Sequence, residues 1–409
     1  MKICLLTTST TAHRMGGTEV HAEGMAAEAV RQGHQVFIVT TAHPRGIPEE
    51  TRNGCRVIYL SGTSHEMSRR DAPAWWAASA GRTAGLCETE GIDIVWAENF
   101  SGLSYAALPA RQRRPVISIV QGLAVRGEVI SNFNSITSAR ELFYFFSRYA
   151  AQTLFYYLPR FRALVRDSDL LIGISNETVA ALKAEYPGSA EKTAAIFNPV
   201  DTERFKPDPT LRRSGRERLG LPNSAVAVLM SGVLHKQKGL HLGLLAFAQL
   251  AGSYPQARLI IAGDGPEKER LAALAGELGL TARVTFLGLV PNDEMPLYYN
   301  SADAYLNPTL RMEGLGIVNI EAMACGLPCV VSLIGGTGST IQDGISGFFV
   351  KPGDLDGLKN SLAALLRDAG LRERMAAEAR ARALRCFDLK KNLAAYVAAS
   401  LELLKSRIK

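Results

Sequence analysis

Residues 313–331 read EGLGIVNIEAMACGLPCVV and place Glu313 and Glu321 eight positions apart, with Gly-Leu-Gly between them. In one continuous helix, these glutamates would be about 12 Å apart along the axis and rotated by about 80°, so they could not share a proton. The glycines disfavour a helix interior, whereas IVNIEAMAC is apolar enough for a buried helix. The stretch therefore predicts a helix that begins near Leu315 or Gly316, with the first glutamate in the loop before it.

The predicted helix start has a chemical consequence. The first backbone N–H groups of a helix have no partner inside it, and they lie at its positive end. The N–H groups of Leu315, Gly316 and Ile317 would then form an anion site between the two carboxylates. One carboxylate could hold sugar hydroxyls and the other a ribose, with a phosphate between them.

The rest of the chain alternates short apolar runs with helical patterns, which is typical of parallel sheets flanked by helices. The predicted strands are KICLLTT, HQVFIVT, IDIVWA, PVISIV and DLLIGI in the first half, and AVAVLMSGV, ARLIIAG, RVTFLG, DAYLNP and PCVVS in the second. A chain of 409 residues suits two domains of about 200 residues each. We therefore predict an α/β protein of two doubly wound domains that face a central cleft, joined by a linker rich in proline and charge at 198–225.

Charge, termini and cysteines narrow the class of protein. A net charge of +7 favours anionic partners such as phosphates, nucleic acid or acidic lipid headgroups. The start MKICLLTTST has too few apolar residues for a signal peptide, and no window approaches 18 consecutive apolar residues. The six cysteines are scattered without Cys-x-x-Cys spacing. These features predict a cytoplasmic protein without structural zinc.

A glycine pair follows the first predicted strand. Gly16 and Gly17 precede a predicted helix and would let a phosphate or sugar approach the backbone at its N-terminus. A plain strand-to-helix turn is the alternative. Neither GxGxxG nor GxxxxGK[ST] occurs here, which counts against a dehydrogenase or a P-loop NTPase.

A basic turn occupies the equivalent place in the second half. His235, Lys236 and Lys238 follow a predicted strand and precede a helix predicted to begin near Gly239. A cation at this position could hold a diphosphate. A solvated basic loop is the alternative.

In their order and spacing, the motifs together resemble the retaining, nucleotide-sugar-dependent glycosyltransferases of family 4, which have the GT-B architecture. The resemblance covers nearly the whole chain through GGTEVHAEGMAAEAVRQGHQV, NPVDTERFKPD, SGVLHKQKG, AGDGPEKERL, VTFLGLVPNDEMPLYYNSADAYLNPT, EGLGIVNIEAMACGLPCVV and GGTGSTIQDGISGFFVKPGD. It implies two Rossmann-like domains. These are an acceptor-binding domain at 1–198, with a C-terminal helix at 388–409 that packs back on it, and a nucleotide-sugar-binding domain at 199–387.

The resemblance also implies the reaction and its residues. A sugar would move with retention from a nucleoside-diphosphate sugar to a hydroxyl of a glycan or lipid-linked acceptor, in cell-envelope or polysaccharide biosynthesis. No metal or cofactor is implied, because cationic side chains and helix N-termini would neutralise the leaving diphosphate. Glu313 would contact the transferred sugar, Glu321 the ribose hydroxyls and Lys238 the diphosphate. The implied catalytic residues are Glu313 and Gln121, and the implied donor-binding residues are Gly16, Gly17, Gly232, His235, Lys238, Gly314, Leu315, Gly316 and Glu321.

Two positions depart from the family pattern. Gln121 stands where the family commonly has histidine, and glutamine can donate and accept a hydrogen bond but cannot act as a base at neutral pH. Val233 stands where the family has arginine, which removes a charge-assisted contact of about 1.5–3 kcal/mol that His235 or Lys236 could replace. A catalytically weak partner subunit and a nucleotide-sugar epimerase of the same architecture are therefore alternatives.

An aromatic and basic stretch lies at 129–166 and includes ELFYFFSRYAAQTLFYYLPRFRALVR. Such a stretch fits the surface of an anionic membrane or a polyprenyl-linked acceptor. Packing inside the first domain, or a dimer contact, is the alternative. The basic residues form no RNA-binding module, so nucleic acid is not an expected partner.

Overall fold

The computed structural model describes residues 1–14, 16–122, 124–134, 136 and 138–407. The chain divides into two compact units. The first comprises Met1–Arg126, Tyr144–Pro199 and Leu389–Lys409, and the second comprises Gly127–Phe143 and Val200–Asp388. The chain thus enters the second unit after Pro199. Residues 127–143, which the sequence analysis placed in the first domain, group with the second unit.

An eight-stranded sheet forms the centre of the first unit. Its strands are β1 Lys2–Leu6, β2 Gln35–Thr41, β3 Glu49–Arg52, β4 Cys55–Leu60, β5 Ile94–Glu98, β6 Val116–Val120, β7 Leu170–Gly173 and β8 Thr193–Ala195. Their order is β3-β4-β2-β1-β5-β6-β7-β8, and every neighbouring pair is parallel except β3 with β4. The α-helices assigned to this unit are Gly17–Arg31, Ala72–Thr89, Leu103–Ala106, Ala150–Gln152, Leu158–Asp167, Asn176–Glu185 and Leu389–Ser406.

The second unit contains a six-stranded sheet in which all neighbours are parallel. Its strands are β9 Val226–Ser231, β10 Ala257–Ala262, β11 Val284–Gly288, β12 Ala304–Asn307, β13 Cys329–Ser332 and β14 Gly347–Val350. Their order is β11-β10-β9-β12-β13-β14. The α-helices within Val200–Asp388 are Pro209–Arg218, Leu240–Ala251, Lys268–Glu277, Met295–Ser301, Ile317–Ala324, Leu355–Arg367 and Ala369–Cys386. Two further helices, Ala124–Asn134 and Ala139–Tyr144, extend across the unit boundaries.

Apart from the antiparallel pair β3–β4, both sheets are parallel, as is usual for strands that helices cover and bury. In the second unit, Phe247 of the helix Leu240–Ala251 and Leu362 of the helix Leu355–Arg367 are fully buried beside the sheet. Each such side chain contributes roughly 1.5–3 kcal/mol by its burial. The prediction of two parallel α/β domains is confirmed, and all ten predicted strands are present. Among the described helices, none is both long and apolar enough to cross a bilayer.

The predicted linker at 198–225 is wrong at its centre. Residues Pro209–Arg218 form a helix whose first turn is capped by Asp208, which accepts from the Thr210 N–H at 2.8 Å. Arg212 then pairs with Asp303 at 2.6 Å. Proline is favoured at the first helical position, and the charges find partners in the second unit. The composition that indicated a linker therefore belongs to a packed helix.

Candidate functional site

Loops that follow β9 and β10 approach each other closely in the second unit. A Cβ atom added to Gly263, which has φ of 143°, would lie 1.9 Å from the backbone oxygen of Gly232. The Gly232 N–H in turn donates to Ala262 O at 3.0 Å. Only glycine allows this contact. It fixes the course of the chain just before the basic turn.

The basic turn is held at the carboxyl end of the sheet. His235 accepts at Nδ1 from the Gln237 N–H at 3.3 Å, and a short 3-10 turn, Lys236–Lys238, follows. Gly239 has φ of 66°, and a Cβ there would lie 2.0 Å from the Pro308 oxygen. The next helix begins at Leu240, which confirms the predicted start near Gly239. The turn is therefore packed against the loop after β12.

Lys238 and Glu313 form an ion pair, although 75 positions separate them. Lys238 Nζ lies 2.5 Å from Glu313 Oε1, and their side chains are 25% and 14% exposed. Thr309 Oγ1 donates to the same oxygen at 3.3 Å. Burial tends to raise the pKa of Glu313, but the charge and hydrogen bond of Lys238 outweigh it, so that this pKa lies below its usual value. Glu313 is therefore an anion at neutral pH.

The helix after Glu313 begins where the sequence predicted. It spans Ile317–Ala324, and Gly316 is its N-cap with φ of 84°. Glu313 thus lies in the preceding loop. No atom of the described residues accepts from the N–H groups of Leu315, Gly316 or Ile317. The start of the helix agrees with the sequence, and anion binding at these N–H groups stays a prediction.

Glu321 lies inside the same helix in a contrasting environment. It is 5% exposed, accepts from the Tyr299 hydroxyl at 2.9 Å and lies 3.4 Å from Asn292 Nδ2. Burial raises its pKa to about 7, although both hydrogen bonds act in the opposite direction. No described cation lies within ion-pair distance of this carboxyl. Glu321 is therefore held by neutral donors, ready to accept further hydrogen bonds.

Sequence reasoning missed the residues that surround Glu321. Arg204 donates to both the backbone and the side-chain oxygen of Asn292, and Tyr299 is fully buried against the carboxyl. Asn292 and Tyr299 were part of the motif VPNDEMPLYYNSAD. No local pattern connected that motif to Glu321.

The glycine pair lies in the first unit, where Gly16 caps the helix Gly17–Arg31. A Cβ on Gly16 would lie 2.4 Å from Glu19 Oε2. Glu19 is 1% exposed, and it accepts from Arg14 Nε at 2.7 Å and from the Ser9 hydroxyl. Its carboxylate already neutralises the positive helix end. This geometry favours the plain strand-to-helix turn, and the glutamate at the third helical position was the signal that could have indicated it.

Gln121 also lies in the first unit, directly after β6. Its amide donates to Glu98 Oε2 at 2.7 Å and accepts from Asn198 Nδ2 at 2.6 Å. His21 Nδ1 lies 3.2 Å from Glu98 Oε1. The sequence singled out only Gln121 of these four residues. Among the described residues, no group of three or more His, Cys, Asp and Glu side chains is placed to hold a metal ion.

Comparisons with known proteins agree with this geometry. The model of the family "Glycosyl transferases group 1" matches residues 212–382, and that of "Glycosyltransferase Family 4" matches residues 15–204. The chain is 30% identical over 372 residues to a D-inositol 3-phosphate glycosyltransferase from Corynebacterium jeikeium, and the match covers 87% of this chain and 85% of that protein. It is 34% identical over 213 residues to a GDP-mannose-dependent alpha-(1-6)-phosphatidylinositol monomannoside mannosyltransferase from Mycolicibacterium smegmatis.

The second of these matches covers 51% of this chain and 55% of the relative, so the chain spans about half of that relative's length. Among solved structures, sucrose-phosphate synthase from Thermosynechococcus elongatus superposes with a TM-score of 0.81. The two chains are 22% identical, and the match covers 99% of each. At this identity, the likeness concerns the fold.

Proposed function

The chain belongs to the group 1 glycosyltransferases of family 4, with the GT-B fold, and on that premise we propose a retaining transfer from a nucleoside-diphosphate sugar. The acceptor would be a hydroxyl of a glycan or of a lipid-linked molecule. The observation that carries the proposal is the ion pair of Lys238 with Glu313. The same stretch of sequence holds the backbone N–H groups at the helix start around Gly316 and the buried Glu321. The motif-based recognition of the family is confirmed.

The proposed donor site combines three kinds of contact. The N–H groups of Leu315, Gly316 and Ile317 bind the diphosphate together with Lys238, which stabilises the charge of the leaving group. Glu321 accepts from the ribose hydroxyls. This arrangement uses no metal ion, since the protein's own donors and cation supply the positive charge.

The proposed reaction exchanges one bond at the anomeric carbon for another on the same face of the sugar. The bond from this carbon to the diphosphate oxygen breaks, and the acceptor oxygen bonds to the carbon. The leaving phosphate takes the acceptor's proton, so Gln121 need not act as a base. Glu313, kept ionised by Lys238, stabilises the positive charge that develops on the sugar ring.

The names of relatives suggest the first substrates to try. One relative is GDP-mannose-dependent and is named for a phosphatidylinositol mannoside, and another is named for D-inositol 3-phosphate. We propose GDP-mannose as the first donor in a panel with UDP, ADP and dTDP sugars, and a lipid-linked polyol or glycan as acceptor. A role in envelope or polysaccharide biosynthesis at the inner face of the cell membrane follows from such an acceptor.

The stretch 129–166 supports contact with an anionic membrane only in part. Phe143, Phe146 and Phe155 are 75%, 61% and 75% exposed, whereas Phe145 and Phe161 are buried. Exposed aromatic side chains near arginines favour an anionic lipid surface. Changing the three exposed phenylalanines to serine should abolish flotation with anionic liposomes. Unchanged flotation would exclude this stretch as the contact.

The function is tested by donor turnover in two variants. Glu313→Ala should retain nucleotide-sugar binding and lose transfer, whereas Glu321→Ala should lose binding. Turnover unchanged in both variants would refute the site. Calorimetry separates the alternatives, because a partner subunit would bind no nucleotide sugar. An epimerase would instead form product without any acceptor.

A further inference from the structure

A buried polar network surrounds Gln121, and the proposed reaction assigns no role to the rest of it. His21 comes from the helix Gly17–Arg31, Glu98 ends β5, and Asn198 follows β8. These three residues are 4%, 2% and 1% exposed. Polar side chains at this depth are normally present for the hydrogen bonds they make. These hydrogen bonds therefore indicate that the network holds a particular group in place.

The Gln121 amide forms hydrogen bonds through both its nitrogen and its oxygen. A primary amide offers two N–H donors and two lone pairs on its oxygen. Its nitrogen lies 2.7 Å from Glu98 Oε2 and 3.2 Å from His21 Nδ1, and its oxygen accepts from Asn198 Nδ2 at 2.6 Å. One N–H group thus donates to Glu98, and the other donates to His21 only in the tautomer whose Nδ1 carries no proton, in which Nδ1 does not donate to Glu98. The second lone pair of Oε1 is the position that the described residues leave open.

Glu98 determines which end of the amide faces which neighbour. A carboxylate can only accept, so a reversed amide would set its oxygen against Glu98 Oε2 and two acceptors would face each other. The backbone is fixed as well, because the Gln121 N–H donates to Asn99 Oδ1 at 3.0 Å. Asn99 has φ of 48°, an uncommon conformation outside glycine that the surrounding structure must hold. Both the backbone and the side chain of Gln121 are therefore oriented by neighbours.

The network is not arranged for stability alone. His21 Nε2 and Asn198 Oδ1 are buried and have no hydrogen-bond partner among the described residues. Leaving a buried polar atom unpaired is unfavourable for folding, and such groups persist where a site requires them. Two unpaired atoms in one cluster of four side chains point to a functional constraint on it.

We infer that Glu98 and Asn198 are positioning residues that hold Gln121 Oε1 as the hydrogen-bond acceptor for a substrate hydroxyl. The inference rests on the proposed glycosyl transfer and adds a requirement to it. The substrate must present a hydroxyl that donates to residue 121. Gln121 then contributes through its orientation, without gaining or losing a proton.

An exchange of the two side chains tests this assignment. Glu98→Gln removes the group that orients the amide, and Gln121→Glu puts two carboxylates in contact. Each should lower kcat at least tenfold while donor KM stays within twofold. The double variant Glu98→Gln/Gln121→Glu restores an amide–carboxylate pair, and Asn198 can still donate to residue 121. The double variant should recover most of the lost kcat. If its kcat is instead reduced by the product of the two single-variant factors, the two side chains are not paired.

The pH profile gives a readout that a purely structural role would not produce. Gln121→Glu should regain activity as pH falls, because protonation relieves the repulsion, while the double variant should show no such rise. Glu49→Gln is the matched control, since Glu49 pairs with Arg56 at the surface of the same unit, and it should leave kcat unchanged. An unchanged kcat in Glu98→Gln would overturn the inference.

Thermal unfolding of the same variants keeps the test independent of the proposed reaction. If the wild type turns over no nucleotide sugar, the proposed function fails, but the network can still be judged. Gln121→Glu should lower Tm, and adding Glu98→Gln should raise it again. Additive changes in Tm would show that the two side chains are not paired.

Discussion

Glu321→Gln should make the ligand-free protein more stable at pH 8 and leave its stability nearly unchanged at pH 4, below the pKa of the unfolded chain. The carboxyl is 5% exposed, and burial raises its pKa from 4.5 to about 7. The folded state therefore keeps a proton that the unfolded chain loses above pH 4.5. Wild-type stability should fall as pH rises from about 4.5 to 7 and level off above that window. Glutamine has no such proton to lose.

The magnitude follows from the same two values. Moving a pKa from 4.5 to about 7 corresponds to about 3 kcal/mol of stability lost at pH 8, at about 1.4 kcal/mol for each pKa unit. For a unit of this size, 1 kcal/mol shifts Tm by about 2–4 °C, so the variant should melt about 6–12 °C above the wild type at pH 8. Tyr299 can still donate to the glutamine oxygen, and the cost is the 3.4 Å contact with Asn292, whose Nδ2 would then face the new amide nitrogen.

Differential scanning calorimetry of the wild type and the variant at pH 4, 5, 6, 7 and 8 measures this difference. Other titrating groups cancel because only residue 321 changes. Glu294→Gln is the control, since the exposed Glu294 pairs with Arg218 at 3.3 Å, and it should give the same Tm difference at every pH. Equal pH dependence in the wild type and in Glu321→Gln would refute the reasoning. The gain should coincide with at least tenfold weaker nucleotide-sugar binding, because a neutral amide accepts more weakly from hydroxyls.

Three further predictions concern single contacts. Lys238→Met should lower kcat in steady-state assays by about 10- to 150-fold, as expected for a charge-assisted contact of about 1.5–3 kcal/mol. Lys238→Arg keeps the positive charge and should retain part of the wild-type kcat. If Lys238→Met has the kcat of the wild type, the ion pair plays no part in turnover. Gly263→Ala should lower Tm by several degrees because its Cβ would lie 1.9 Å from Gly232 O, while Gly276→Ala, with open space around it, should be neutral or slightly stabilising in the same melts. Gly16→Ala should lower the Tm of the wild type but have little effect in a Glu19→Ala background. Equal Tm losses in both would show that the Glu19 carboxylate does not occupy the space beside Gly16.

Local sequence signals predicted the central strands of each sheet and the start of the helix Ile317–Ala324. The ten predicted strands are continuous apolar runs, which buried parallel strands require. Four strands were missed. Glu49–Arg52 is a polar antiparallel strand at the sheet edge and Thr193–Ala195 has three residues, so both lack that signal. Cys55–Leu60 and Gly347–Val350 carry short apolar runs that the sequence analysis overlooked. The start at Gly316 was predictable because glycine both ends the preceding loop and disfavours a helix interior.

The contacts around the site residues could not be predicted in the same way. Asn292 and Tyr299 reach Glu321 through tertiary packing, Arg204 holds Asn292, and no spacing in the sequence encodes these contacts. Glu19 was overlooked because a glycine pair before a helix is also typical of a site for an external phosphate. Local patterns therefore predict elements and their ends. The polar partners of a buried carboxylate depend on distant segments.

The environments of Glu313 and Glu321 explain why one stretch of sequence can serve two purposes. Lys238 lowers the pKa of Glu313, so this carboxylate is charged wherever the protein works and can stabilise a cationic sugar ring. Burial raises the pKa of Glu321 to about 7 although its neutral donors act in the opposite direction, so this carboxyl is only partly ionised at neutral pH and further donors would favour its charged form. Ligand hydroxyls should thus lower that pKa on binding. In the proposed site, these different surroundings would give two glutamates eight positions apart their different roles.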